Sequence, residues 1–315
     1  MSGHTTLIPL WWMRPFRGRV GPQRWMMQSI IAPLRDAALQ HGLDLRVVDL
    51  DDIAVAGSPD SLSVYVEGVP VDPISAIFHT KTTQTAAAAT DQMRHTVLVE
   101  LLEAGRYHVT VPARLNLIND DKLLAVTTYG AGLEYLPSIR LHTRQFDRLL
   151  VPNSLITYPA IVKPTSWSAG LGVRRVESYD ELQAVLQLAG ASESTMLVQP
   201  FMGENTRDIR VYCVDGRPHC ALLRSVSGDA VAANLSRGGT ATVGPVPPEL
   251  VEPAALVARR VGAPYIGVDF LQNGSKTVLS EIEVDAGSVP FPELHAVRFS
   301  AMKASFDRWL PTRVE

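Results

Sequence analysis

The sequence predicts an α/β unit followed by a mixed α+β half, and three observations carry that reading. Over residues 1–115, short apolar runs alternate with helical periodicity, the order expected of a parallel sheet with crossover helices. In the second half two turn signals, Asp215-Gly216 and Asn273-Gly274, each separate two strand-like runs and so mark hairpins. Between these parts, a strand ending on Lys163 runs into TSWSAGLGV, a loop of small residues.

Taken in order, residues 24–41 read as a helix with Trp25, Ile30, Ile31 and Leu34 near one face and Pro33 as a kink or break. LRVVDL (45–50) and SAIFH (75–79) read as short buried strands, and 85–104 as a helix that Gly105 stops. A helix around 119–132 carries Lys122 and leads into a strand. YPAIVKP (158–164) is the strand that ends on Lys163, and Ser178 with Glu181 forms a capping box opening a helix through 189. MLVQPF precedes the hairpin DIRVYCV–DG–RPHCALLR. A helix over 249–261 ends before Gly262, and YIGVDFL–QNGS–KTVLSEIEV forms the last hairpin. The organisation expected is three units: 1–115, 116–197 and 198–315.

Composition removes several function classes. With 46% hydrophobic and 19% charged residues the chain is neither disordered nor fibrous, and a net charge of −3 lacks the footprint of a dedicated nucleic-acid binder. Cys213 and Cys220 fit neither a disulfide framework nor a zinc spacing, so buried free thiols are expected. No run approaches the ~18 apolar residues of a membrane span, and the reading is a cytoplasmic protein. Of 29 cations, 24 are Arg and only five are Lys: Lys81, Lys122, Lys163, Lys276 and Lys303. Codon usage explains the bias, which makes each lysine worth placing.

The chemistry concentrates between residues 199 and 287. Strand alternation puts Glu281 and Glu283 on one face, and pairing about Asn273-Gly274 brings them roughly opposite Asp269. Three carboxylates on one face repel unless a cation neutralises them, and oxygen-only ligands suit Mg²⁺ or Mn²⁺ rather than zinc. The flanking Val268, Phe270, Ile282 and Val284 are core-like, against a merely solvated acidic patch.

Here the sequence resembles the ATP-grasp ligases, in particular the RimK-type branch of the ribosomal-protein glutamate ligase. The residues that carry the resemblance are Gln199-Pro-Phe-Met, Asp208-Ile-Arg210, Arg224, Asn234-Leu-Ser-Arg237-Gly-Gly239, Gly267-Val-Asp269-Phe and Glu281-Ile-Glu283, in order and without a gap from Asp208 to Glu283. Two departures stand out: Pro200 where the family has Glu, and Glu283 where it has Asn.

The resemblance implies an ATP-grasp fold, with an N-terminal pre-ATP-grasp α/β domain and two α+β subdomains clasping ATP. By the same resemblance Lys122 and Lys163 meet the nucleotide phosphates, and Ser168, Gly170 and Gly172 form a lid loop with backbone donors. Gln199, Pro200, Phe201 and Met202 form the adenine hinge, and Asp208 takes the ribose. Asn234 joins Asp269, Glu281 and Glu283 around two Mg²⁺ ions, and Arg224, Arg237 and Gly238 stabilise the charge developing in the reaction. The implied activity is ATP-dependent carboxylate–amine ligation through an acyl phosphate, on small-molecule or peptide substrates, in biosynthesis, with a homodimer suggested by the family. An intramolecular cyclo-ligase, a peptide-crosslinking ligase and a small-molecule kinase are the alternatives. Trp11, Trp12 and Trp25 are read as core tryptophans before acceptor-site ones.

Overall fold

The computed structural model describes residues 7–14, 22–81, 89–142, 153–167, 170–190, 194–225, 240–287 and 291–314. The packing expected for Trp25 and Ile30 lies outside the described side chains. Four sheets form. In the N-terminal part, β1 (Ile8–Arg14), β2 (Leu43–Asp49), β6 (Ile77–His79) and β7 (His108–Val109) make a parallel sheet in the order β2-β1-β6-β7, with α1 (Pro22–Gln40) and α2 (Ala89–Ala104) as crossovers. Pro33 lies inside α1 without breaking it, contrary to the break allowed for above. A meander of β3 (Ile53–Ser58), β4 (Ser61–Val66) and β5 (Val69–Val71) is inserted after β2. It was not expected, although Pro59-Asp60 and Glu67-Gly68 are turn signals between alternating runs.

The expected single helix carrying Lys122 is two helices, α3 (Ala113–Asp120) and α4 (Lys122–Tyr129). Asp121 between them is extended (φ −146°, ψ 109°), and its side chain accepts from the Leu123 and Leu124 amides at 3.1 and 3.0 Å. An aspartate N-cap thus competes successfully with helix continuation. Lys122 becomes the first residue of its own helix, which aims its side chain at the next sheet.

That sheet is antiparallel, in the order β10-β9-β11-β8, from β8 (Ile139–His142), β9 (Ala160–Pro164), β10 (Arg174–Val176) and β11 (Thr195–Pro200). Helix α5 (Tyr179–Gly190) covers it, burying Leu182 and Leu186. Its capping box forms with one shift: Ser178 accepts from the Glu181 amide, and the Glu181 carboxylate accepts from the Glu177 amide.

The site is built on the last sheet, β14-β13-β12-β15-β16, made of β12 (Arg207–Val214), β13 (Arg217–Ser225), β14 (Thr240–Gly244), β15 (Tyr265–Asn273) and β16 (Lys276–Val284). One face is apolar: Ile209, Val211, Ala221, Val268, Phe270, Ile282 and Val284 pack against α3, α4 and α6 (Pro248–Val261). The opposite face is polar, and its pattern depends on a detail of the second hairpin. Asn273 pairs with Lys276, so the turn is Gly274-Ser275, one residue later than expected. A bulge between Asp269 and Phe270 then places Glu281 opposite Asp269 and Glu283 opposite Gly267. Without the bulge Asp269 would face Ser280, and both glutamates would turn toward the apolar side.

The chain closes with α7 (Pro292–Trp309) and α8 (Pro311–Val314). Phe299, Met302 and Phe306 of α7 pack with Leu10, Leu34 and Ile77, so the C-terminus returns to the N-terminal sheet. Trp12 is buried, as read from sequence, and stacks on His79 at 3.7 Å with an interplanar angle of 12°. No helix among the described residues is long and apolar enough to cross a membrane.

Two substitutions test this account. Asp121→Ala removes a helix cap and the 2.6 Å pair with Arg140, and should cost about 1 kcal/mol in urea unfolding. Gly267→Ala would place a Cβ 2.8 Å from the Ala286 Cβ and 3.0 Å from the Arg210 Cδ, and should cost about 1–3 kcal/mol in the same assay.

Candidate functional site

Register lines the charged residues up on the polar face of the last sheet. Asp208 pairs across with Arg224, and Arg210 with Asp269, which in turn faces Glu281. Arg210 binds Asp269 through two contacts, Nε to Oδ1 at 2.6 Å and Nη2 to Oδ2 at 2.8 Å, and reaches Glu283 Oε2 at 2.5 Å with Nη1. Arg224 Nη2 donates to both Asp208 Oδ1 and Asp269 Oδ2 at 2.8 Å. The Arg210 side chain passes close to Gly267, where a Cβ would sit 3.0 Å from its Cδ and 3.2 Å from its Nε, so the missing side chain leaves it room. Arg210 has no role of its own in the sequence reading, where its place in Asp208-Ile-Arg210 is the available signal.

Two lysines approach from the central region. Lys163, on β9, donates to Glu281 Oε1 at 2.9 Å. Lys122 donates to the Thr165 and Trp167 carbonyls at 3.2 and 2.7 Å, tying the start of the small-residue loop to α4. Burial pushes the Lys122 ammonium below its ordinary value, with Lys163 acting in the same direction and Glu281 against it. Burial pushes Glu281 up, but Lys122 and Lys163 outweigh it and hold the carboxyl at about 2. Burial raises Asp208, with Arg224 opposing.

A further lysine, Lys81, was left unassigned by sequence reasoning. It follows β6 and donates to Glu283 Oε1 at 2.5 Å and to the Asp285 carbonyl at 2.7 Å. Beside it, His79 Nε2 meets Asp285 Oδ2 at 2.6 Å, and Arg298 Nε donates to Asp285 Oδ1 at 2.7 Å. Because a carboxylate only accepts, the His79 proton is assigned to Nε2.

Asp269, Glu281 and Glu283 do share a face, but the cations that neutralise them are Arg210, Arg224, Lys81 and Lys163. Among the described residues no group of three or more His, Cys, Asp or Glu is placed to hold an ion. Glu283 and Asp269 are both closed in this arrangement, each accepting from charged donors at both oxygens. Glu281, bound at one oxygen by Lys163, is the carboxylate of the three that best suits a divalent cation as a hard-oxygen donor.

The hinge residues are found at the end of β11 and just beyond. Gln199 is buried, and its Nε2 donates to Ser138 Oγ at 2.8 Å. Pro200 has no N–H, and the Phe201 N–H is donated to the Pro159 carbonyl at 2.9 Å. The Met202 carbonyl accepts from Asn273 at 2.6 Å, while Arg175 lies over the Phe201 ring at 4.4 Å. In the loop, Gly170 and Gly172 have φ of +68° and +73°, and a Cβ on Gly172 would sit 2.8 Å from the Pro164 ring. Gly172 is thus required by packing as well as by backbone. Ser168, Asn234, Arg237 and Gly238 lie outside the described residues. Cys213 and Cys220 are free, and burial raises their thiols to about 12 and about 11.

Comparison with known proteins gives this arrangement its relatives. "Probable alpha-L-glutamate ligase 1" of Shewanella denitrificans is 29% identical over 130 residues, which span 41% of this chain and 44% of that relative. The solved structure of D-cycloserine synthetase DcsG superposes with a TM-score of 0.67 at 15% identity, covering 95% of this chain and 99% of the other. ATP-grasp ligase PsnB, complexed with minimal precursor, Mg and ADP, superposes at 0.62 with 16% identity, covering 97% of each chain. These two likenesses show the ATP-grasp fold. The model of the RimK-like ATP-grasp domain matches residues 136–293, half of the chain, and the protein belongs to that family.

Proposed function

We propose that this protein is an ATP-dependent carboxylate–amine ligase that forms ADP. The observation that carries the reading is a buried excess of positive charge among the described residues: Lys81, Lys122, Lys163, Arg210 and Arg224 gather around four carboxylates, Asp208, Asp269, Glu281 and Glu283. Cations held that far from water favour a polyanion, and a nucleoside triphosphate supplies one. The family, the name of the glutamate-ligase relative and the ADP and Mg of the PsnB complex support the same choice.

On this reading ATP lies between the central sheet and the polar face of the last one. Lys122 and Lys163 face its phosphates, residues 199–202 its adenine, and Asp208 its ribose. Glu281 would give Mg²⁺ an oxygen ligand, and the ion would offset phosphate charge when bound. A substrate carboxylate oxygen attacks the γ-phosphorus and ADP leaves, giving an acyl phosphate. An amine nitrogen then attacks the acyl carbon, loses its proton, and expels inorganic phosphate. No covalent bond to the protein forms, so positioning and fixed charge do the catalytic work. Arg224 is the described guanidinium placed to meet charge developing on transferring oxygens, with Arg237 and Gly238 proposed to complete that set. The substrates are a small-molecule or peptide acid and an amine, consistent with a role in biosynthesis.

An acid-and-amine panel scored for ADP formation tests this directly. ADP release requiring both substrates is the expected result; a stable phosphorylated product formed without amine would instead identify a kinase. Glu281→Gln should lower turnover at least ~100-fold, since it weakens both the lysine pair and the cation donor set.

The same residue predicts a pH effect. A carboxyl held at about 2 against an ordinary 4.5 contributes stability that is complete above the higher value and is lost as pH falls toward the lower. Melting curves of the wild type and Glu281→Gln should therefore differ most near about pH 6 and converge only below about pH 2.

A further inference from the structure

Lys81 comes from the N-terminal sheet, yet it ends among the carboxylates of the last one, 202 positions further along the chain. It stands just beyond the C-terminal end of β6, the edge of a parallel sheet where ligand sites form. Of the three N–H bonds of its ammonium, one is given to Glu283 Oε1 and one to the Asp285 carbonyl. Glu283 Oε2 is taken by Arg210, and the Lys81 and Glu283 side chains are only 12% and 18% exposed. Asp285 is fixed from two sides: its side chain is held by His79, on the same strand as Lys81's approach, and by Arg298 of α7.

A carboxylate whose two oxygens are both closed by buried cations is a poor ligand for a metal, because binding would strand the cations it leaves. Nor is the lysine free for phosphate, since it is spent on the carboxylate. What the pair does have is reach, because its partner Arg210 is also the bidentate partner of Asp269.

We propose that Glu283 is the counter-ion of Lys81 rather than a metal ligand, and that the pair is a positioning clasp through which the N-terminal domain sets Arg210 and Asp269 in the nucleotide cleft. The catalytic part of this proposal rests on the ligase reading above; the pairing itself does not. Lys81 is thus a positioning residue, acting through Glu283 and Arg210 on the groups that meet substrate.

The test uses the full chain and five variants: Lys81→Met, Lys81→Arg, Glu283→Gln, Lys81→Met/Glu283→Gln and Glu281→Gln. Magnesium chloride is titrated by calorimetry in the presence of ADP, urea unfolding gives stability, and ADP formation gives kcat and KM. Glu283→Gln should change the apparent Mg²⁺ affinity by less than about twofold, whereas Glu281→Gln should weaken it by about tenfold or more. Lys81→Met and Glu283→Gln should each destabilise, and the double variant should lose clearly less than their sum. Lys81→Met should lower kcat about tenfold with little change in the KM for ATP, and Lys81→Arg should recover most of that loss. A Mg²⁺ defect in Glu283→Gln equal to that of Glu281→Gln, or additive destabilisation in the double variant, overturns the proposal. If the wild type binds no nucleotide and forms no ADP, the ligase reading fails, while the unfolding cycle still decides the clasp.

Discussion

Charge placed on the inner face of a sheet must be answered by charge, and the rest of this structure follows from how that is done. From Lys81 to Glu283, Arg210, Asp269, Arg224 and Asp208, positive and negative groups alternate in one unbroken series of contacts. Each ion loses several kcal/mol of hydration on burial, so a missing member would leave a neighbour uncompensated. That requirement dictates the small features around it. Gly267 has no side chain because Arg210 lies against it, and the buried centre of the opposite face of the same strands is apolar, where α4 and α6 cover it.

The series also joins parts of the chain that sequence order keeps far apart. Beside Lys81, the ring of His79 is sandwiched against Trp12, Arg298 lies 4.8 Å over that tryptophan, and both His79 and Arg298 hold Asp285. Asp285 has φ of +51°, a conformation uncommon outside glycine, asparagine and aspartate, and three residues secure it there. Arg298 stands on α7, which packs on the N-terminal sheet through Phe299, Met302 and Phe306. First and last segments of the chain thus enclose the end of β16 together.

Much of this was legible beforehand, for local reasons. Alternation alone placed Glu281 and Glu283 on one face and Ile282 and Val284 on the other, and Asp215-Gly216 marked a turn in which both residues have positive φ. Lys163 at the end of AIVKP was legible as a cleft residue from its strand and loop. What was not legible depended on competition or on distance. The break at Asp121 was decided by a side chain outbidding a helical hydrogen bond. The partner of Lys81 lies 202 positions along the chain, and no spacing rule links them. The counter-ions of Glu283 were not legible either, because repulsion among carboxylates names the need for cations without naming their source.

The bulge at Ser280 carries a consequence for how this hairpin can diverge. Inside and outside on β16 are defined by parity, counted from the turn and corrected once by the extra residue. A one-residue change within the paired residues, unless the loop or the bulge absorbs it, would exchange the acidic row with Ile282 and Val284, sending carboxylates into the core and valine into the cleft. A change confined to the Gly274-Ser275 loop would leave both faces as they are. Relatives of this chain should accordingly vary in length at that loop, or relocate the bulge when the paired strands change by one.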